Sequence, residues 1–207
     1  KVGNMRVNKG LMIAATFDPT KRTSLITVAD MCRKIEENSI SLPLYQRDIS
    51  WTLQKCIDLL NYQLWGKAPV SPISINVINT VDSAVPQVSF IDREIISTIE
   101  RGQYSVVDGQ QRLTTNYKAY CNHDDFRNIV LDLGKGEFTE VRDSIRSNQI
   151  PVGILLNKED TKLFEYTKAK SALGSADVLS VLLQVRSKMR NYNYTLNSAE
   201  DLTEDEQ

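Results

Sequence analysis

Tyr104-Ser105-Val106-Val107-Asp108-Gly109-Gln110-Gln111-Arg112-Leu113-Thr114-Thr115 decides how this chain is read. A β-rich run ends at an Asp-Gly joint, and a helical segment follows to about Cys121. The pattern predicts a strand feeding directly into a helix. Gly109 allows close approach of backbone, and the free N–H groups of a helix's first turn favour an anion. Helical side chains lean toward the N-terminus, so Arg112 can swing back over the joint. Gln110 and Gln111 add neutral donors and acceptors, and Arg112 supplies a bidentate fork suited to phosphate oxygens. Asp108 can instead cap the helix, which would fill those donors and repel a phosphate. The two roles coexist only if Asp108 turns outward, where it could hold Mg2+ or orient a water. A capping Asp followed by solvated polar residues stays open as the plainer alternative.

Working outward, Tyr45-Gln46-Arg47-Asp48-Ile49-Ser50-Trp51 is a second Gln-Arg pair ahead of a helix, about sixty residues earlier. Two such pairs could converge on one anion, and Trp51 could stack on a base or close the core. The helix after it carries Leu53, Ile57, Leu60 and Leu64 on one face, is capped by Ser50 or Thr52, and stops at Gly66. Upstream, Thr27 caps a short helix striped with Val28, Met31, Cys32 and Ile35. The segment before Thr23 shows no sustained period and reads as an arm or edge strand. Further strands are expected over 71–81, 129–133, 137–141, 150–156 and 192–196, with Gly134-Lys135-Gly136 turning one hairpin. Asn157 caps a helix with Leu163, Phe164, Tyr166 and Leu173, and another helix covers 177–190. The stretch 85–102 gives no clear signal. Helices interleaved with strands predict one α+β domain over 24–207, preceded by an arm over 1–23.

The 207 residues suffice for a full core, with roughly 70% of the unfolded surface buried at this size. Lys and Arg number 25 against 26 Asp and Glu, but the charge is uneven. The arm holds Lys1, Arg6, Lys9, Lys21 and Arg22 against Asp18, while Glu200, Asp201, Glu204, Asp205 and Glu206 crowd the last eight residues. A mildly basic body can meet a polyanion without requiring one. The single His123 excludes sites needing two histidines and argues against Ser-His-Asp catalysis. Cys32, Cys56 and Cys121 form no CxxC pair, so a reducing cytoplasm is the simplest home. The apolar run 11–15 is too short for a signal peptide, and no stretch reaches the ~20 apolar residues of a membrane span. The closing Leu202-Thr203-Glu204-Asp205-Glu206 looks like a helix start, so a longer protein is expected.

Leu42-Pro43-Leu44-Tyr45-Gln46-Arg47, then Ile49-Ser50-Trp51, then residues 107–115 together resemble the N-terminal domain of GmrSD-type modification-dependent restriction proteins, in the ParB/sulfiredoxin-like superfamily. Ile150-Pro151-Val152 and Leu202-Thr203 look like later landmarks, so the resemblance covers roughly 25–207. It implies a mixed sheet with flanking helices, and a domain that binds and hydrolyses nucleoside triphosphates in defence against foreign DNA. By the same resemblance Asp108, Gly109, Gln110, Gln111 and Arg112 serve nucleotide hydrolysis, with Asp108, Gln111 and Arg112 as the catalytic residues, and nucleotide chemistry adds Mg2+ with Asp108 as its ligand. Gln46, Arg47, Trp51, Gly109 and Gln110 would bind nucleotide. Asp48 stands where that family usually has Pro, and pairing with Arg47 would divert the arginine from phosphate. Such proteins also carry a nuclease portion with a His-based metal motif, and His123 has neither the spacing nor the neighbours for it. Cleavage is therefore expected from a C-terminal portion or partner chain. The alternatives are a non-catalytic ParB-like module binding DNA or protein, and a purely structural part of a larger assembly.

Overall fold

The computed structural model describes residues 6–18 and 22–207. The N-terminal segment is not a bare arm. Lys9–Thr16 forms a helix, α1, because Asn8 accepts from the Leu11 N–H at 3.1 Å and starts the turn that the short apolar run continues. None of its residues is buried. Lys1 and Lys21 of the basic arm lie outside the described residues, whereas Arg22 pairs with Glu200 at 2.9 Å. Part of the charge asymmetry thus closes on itself.

Next come β1 (Thr23–Thr27), α2 (Val28–Glu36), β2 (Ile40–Pro43), α3 (Leu53–Trp65), β3 (Ile73–Ile78) and β4 (Gln87–Val88). These are followed by β5 (Gln103–Asp108), α4 (Gln110–Tyr120), β6 (Ile129–Asp132), β7 (Glu137–Glu140) and β8 (Gln149–Pro151). The chain finishes with α5 (Val152–Leu155), α6 (Asp160–Ala169), α7 (Ala176–Arg190) and β9 (Asn193–Glu200). The fold is mixed α/β. A six-stranded sheet runs β1-β9-β3-β5-β2-β4 and a three-stranded sheet runs β7-β6-β8.

Local chemistry explains most of these elements. Thr27 Oγ1 accepts from the Asp30 N–H at 3.2 Å, and the α2 stripe Val28, Met31, Cys32 and Ile35 is buried. Thr52, not Ser50, caps α3. Gly136, at φ 70°, closes the β6–β7 hairpin. Further segments depart from expectation, among them the helix expected to include Leu173, which ends at Ala169 and leaves Leu173 in a separate 3-10 turn. The strand expected over 150–156 stops at Pro151 and becomes the one-turn α5, so tertiary packing overrides the β-rich composition. Asn157 does not cap α6 directly; Glu159 is the N-cap residue, and Asn157 accepts from its N–H at 3.0 Å.

The core divides around α4. One cluster joins the large sheet to α2 and includes Met31, Ile40, Ile73, Ile75, Val106, Leu113 and Tyr194. The other joins the small sheet to α3, α5, α6 and α7 and includes Leu60, Ala119, Ile129, Phe138, Leu155 and Leu182. Beneath α4 the buried Gln63 and Asn116 exchange amide hydrogen bonds of 2.9 and 3.1 Å. Asn116 also donates to Tyr194 Oη at 3.2 Å, and that hydroxyl donates to Gln63 Oε1. These polar groups are mutually satisfied, as burial requires.

Candidate functional site

The two Gln-Arg segments are neighbours because β2 and β5 pair in parallel, with Ile40 opposite Tyr104 and Ser41 opposite Ser105. Parallel strands end at the same edge, so the 44–51 loop leaving β2 lies beside the turn leaving β5. In open α/β sheets, ligand crevices lie at such carboxyl ends of strands. β3 pairs antiparallel on the other side of β5, with a register slip between Ser74 and Ile75. Ser74 faces Asp108 and Ile75 faces Val106, so Val107 is the extra residue of a bulge. Its carbonyl is free to accept from Gln46 Nε2 at 3.3 Å.

Gly109 follows at φ 104° and is the N-cap residue of α4, with no side chain capping the first turn. Asp108 therefore does not cap. The left-handed glycine turns the chain so that the Asp108 side chain stands outward, 77% exposed. The first-turn N–H groups remain available, which removes the conflict between a carboxylate cap and an anion. A Cβ on residue 109 would meet Ile73 Cδ1 at 2.2 Å and Arg112 Nη2 at 3.0 Å. Only glycine fits here without displacement.

Arg112 does lean back over the joint. Its Nη2 donates to the Pro72 carbonyl at 3.0 Å and lies 3.8 Å from Asp108 Oδ2. Its side chain is 18% exposed, and its Nε is buried with no partner. Gln111 Oε1 accepts from the Trp51 backbone N–H at 3.2 Å, tying the far end of the 44–51 loop to α4. Trp51 itself is half-buried against the small-sheet cluster. The Gln110 carbonyl accepts from the Thr114 hydroxyl at 2.9 Å. Burial, reinforced by the Glu204 charge, pushes the Tyr45 phenol up.

Arg47 and Asp48 are both exposed, and neither forms an ion pair among the described residues. Asp48 therefore does not divert Arg47. The guanidinium that touches the loop belongs to Arg93, whose Nη2 donates to the carbonyls of Leu44 at 3.2 Å and Gln46 at 2.8 Å. Arg93 sits in the aperiodic stretch 85–102, where no sequence signal marked it. His123 lies after α4, and its Nδ1 accepts from the Asp125 N–H at 3.1 Å. Among the described residues, no three His, Cys, Asp or Glu side chains gather as a metal site. Cys32 and Cys56 are buried free thiols, and Cys121 is half-buried and free. No described helix is long and apolar enough to cross a membrane.

No curated protein matches the chain. The family model of the GmrSD restriction endonuclease N-terminal domain matches residues 28–206, from the first residue of α2 to the end of the acidic segment. The match includes both Gln-Arg segments and the whole β5–α4 turn. This chain belongs to the family of GmrSD restriction endonuclease N-terminal domains, a family of restriction-type DNA-defence proteins.

Proposed function

We propose that the β5–α4 turn is a phosphate site and that the domain binds and hydrolyses nucleoside triphosphates within a DNA-defence protein. The observation that carries this reading is the uncapped N-terminus of α4 at Gly109, with the Arg112 guanidinium folded back over it. Backbone N–H groups and a guanidinium supply fixed positive charge where charge builds on a transferring phosphoryl group. Gln111 uses its Oε1 on Trp51, which leaves its amide nitrogen to orient the attacking water. We assign further nucleotide contacts to Gln46, Gln110 and Arg47, and stacking on the base to Trp51.

Mg2+ is ordinarily held by one or two carboxylates plus phosphate oxygens. The outward Asp108 fits as one such carboxylate, and the ion would neutralise phosphate charge there. The wider reading is a ParB/sulfiredoxin-like domain in the cytoplasm, acting with DNA and with a nuclease portion on another segment or chain. The three free thiols suit that compartment. Phosphate release from a panel of triphosphates with Mg2+, by wild type and Asp108→Ala, tests the function. Release by wild type and its loss in the variant support it. DNA binding that falls steeply with salt, with no phosphate released, favours the non-catalytic module instead.

A further inference from the structure

We propose that Arg93 is a positioning residue: it latches the 44–51 loop onto the β5–α4 turn and so sets the site's geometry. The second half of this proposal rests on the nucleotide reading, whereas the latch itself does not. Arg93 lies in a tight return after β4, where Ile91 has φ 68° and Arg93 φ 52°. Both are left-handed conformations that side chains disfavour, most of all a β-branched one. The return is held by the Ser89 N–H to the Glu94 carbonyl at 2.9 Å, the Glu94 N–H to Ser89 Oγ at 3.1 Å and the Val88–Ile95 bridge. Strain maintained by its surroundings points to use.

That use is visible in what the guanidinium touches. Arg93 forms no ion pair among the described residues; its Nη2 donates to two successive-turn carbonyls, Leu44 and Gln46. Gln46 then reaches Val107 with its own side chain, one residue before Asp108. Arg93, Gln46 and Val107 thus form a continuous chain of hydrogen bonds from the β4 return to the mouth of the site. Two atoms in the same pair remain unused: Arg93 Nη1 and Gln46 Oε1 are buried and have no partner. Buried polar atoms are rarely left so unless a water or ligand completes them. A latch with one donor and one acceptor to spare beside an uncapped helix is the arrangement expected at the rim of a binding site.

The test uses the protein with Trp65→Phe, which leaves Trp51 as its one tryptophan. Acrylamide quenching of Trp51 then reports how firmly the loop is held, and thermal unfolding reports the fold. Arg93→Ala is expected to raise the quenching constant about twofold with cooperative unfolding retained. Arg93→Lys is expected to lie between, and it decides the question if the alanine variant does not fold. Titration calorimetry with ATP and Mg2+ is expected to show about tenfold weaker binding for Arg93→Ala, partly restored by Arg93→Lys. Unchanged quenching in a folded variant overturns the latch. Raised quenching with unchanged affinity overturns the positioning role. A wild type that binds no triphosphate removes the nucleotide reading, and quenching alone then decides the latch.

Discussion

Gln46 donates through Nε2 to the carbonyl of Val107 at 3.3 Å, joining residues 61 positions apart at the edge where β2 and β5 both end. The bond exists because the β5 bulge leaves Val107 without a Cα partner in either neighbouring strand. Two sequence segments that each precede a helix are thereby held side by side.

Gly109→Ala is the most severe single change expected at the turn. The new methyl must displace Ile73, and the backbone must hold φ 104° with a side chain present. A loss of at least about 2 kcal/mol is expected, from overlap and left-handed strain together. Urea unfolding measures it. A stability equal to wild type would show that the turn relaxes freely.

Tyr194→Phe removes the hydroxyl that joins Gln63 and Asn116 beneath α4. Gln63 and Asn116 keep each other as partners, so the cost is that of one buried hydrogen bond, about 0.5–1.5 kcal/mol. Because Asn116 also holds the Arg112 carbonyl at 2.8 Å, looser anchoring of the first turn should follow. Hydrogen exchange of the α4 amides is the readout, and unchanged protection would separate this network from the site.

Gly153→Ala serves as a contrasting variant. Its Cβ would fall 2.0 Å from Asn122 Oδ1 and 2.8 Å from Asn122 Cα, where α5 meets the end of α4. Overpacking of this kind costs about 1–3 kcal/mol. Triphosphate affinity measured well below the unfolding temperature should be unchanged, since the clash lies at the opposite end of the helix. Affinity lost in proportion to stability would contradict a local phosphate site.

Acid should unfold the protein partly through Asp132. Gln149 Nε2 at 2.8 Å and the Lys135 N–H at 2.9 Å hold its carboxyl below the usual carboxylate range. A depressed pKa means the folded state binds the proton less readily, so the contribution is complete above the unfolded value near 3.8. It is lost as pH falls through the lower folded value. Asp201, depressed by the Thr80 and Asn79 N–H groups, acts in the same direction. Asp132→Asn should flatten the loss of stability below pH 4 or so, measured by urea midpoints at several pH values. Curves that stay parallel to wild type would assign the acid sensitivity elsewhere.

Local signals in the sequence carried a good deal of this architecture. The α2 stripe, an α3 cap at Ser50 or Thr52, the β6–β7 hairpin and the strand-to-helix joint at 108–109 were all legible, because each depends on residues within a turn or two of one another. The same locality explains the misses. Asp108 looks like a cap by composition, but Gly109 takes that place once the bulge sets the direction of the chain. Residues 150–156 are β-rich, yet α5 forms where the chain packs into the small-sheet core. The parallel pairing of β2 with β5 joins strands more than sixty residues apart and leaves no periodic trace. Arg93 could not have been singled out, since its contacts with the Leu44 and Gln46 carbonyls depend on a left-handed return that no glycine marks.

The central claim is that the uncapped turn at Gly109, overlaid by Arg112, holds phosphate. Titration calorimetry of ATP with Mg2+ into wild type and Arg112→Ala tests it most directly. Loss of a charge-assisted hydrogen bond predicts binding weaker by about ten- to a hundredfold in a variant that still unfolds cooperatively. Equal affinity in the two proteins, or no binding by either, would contradict the account.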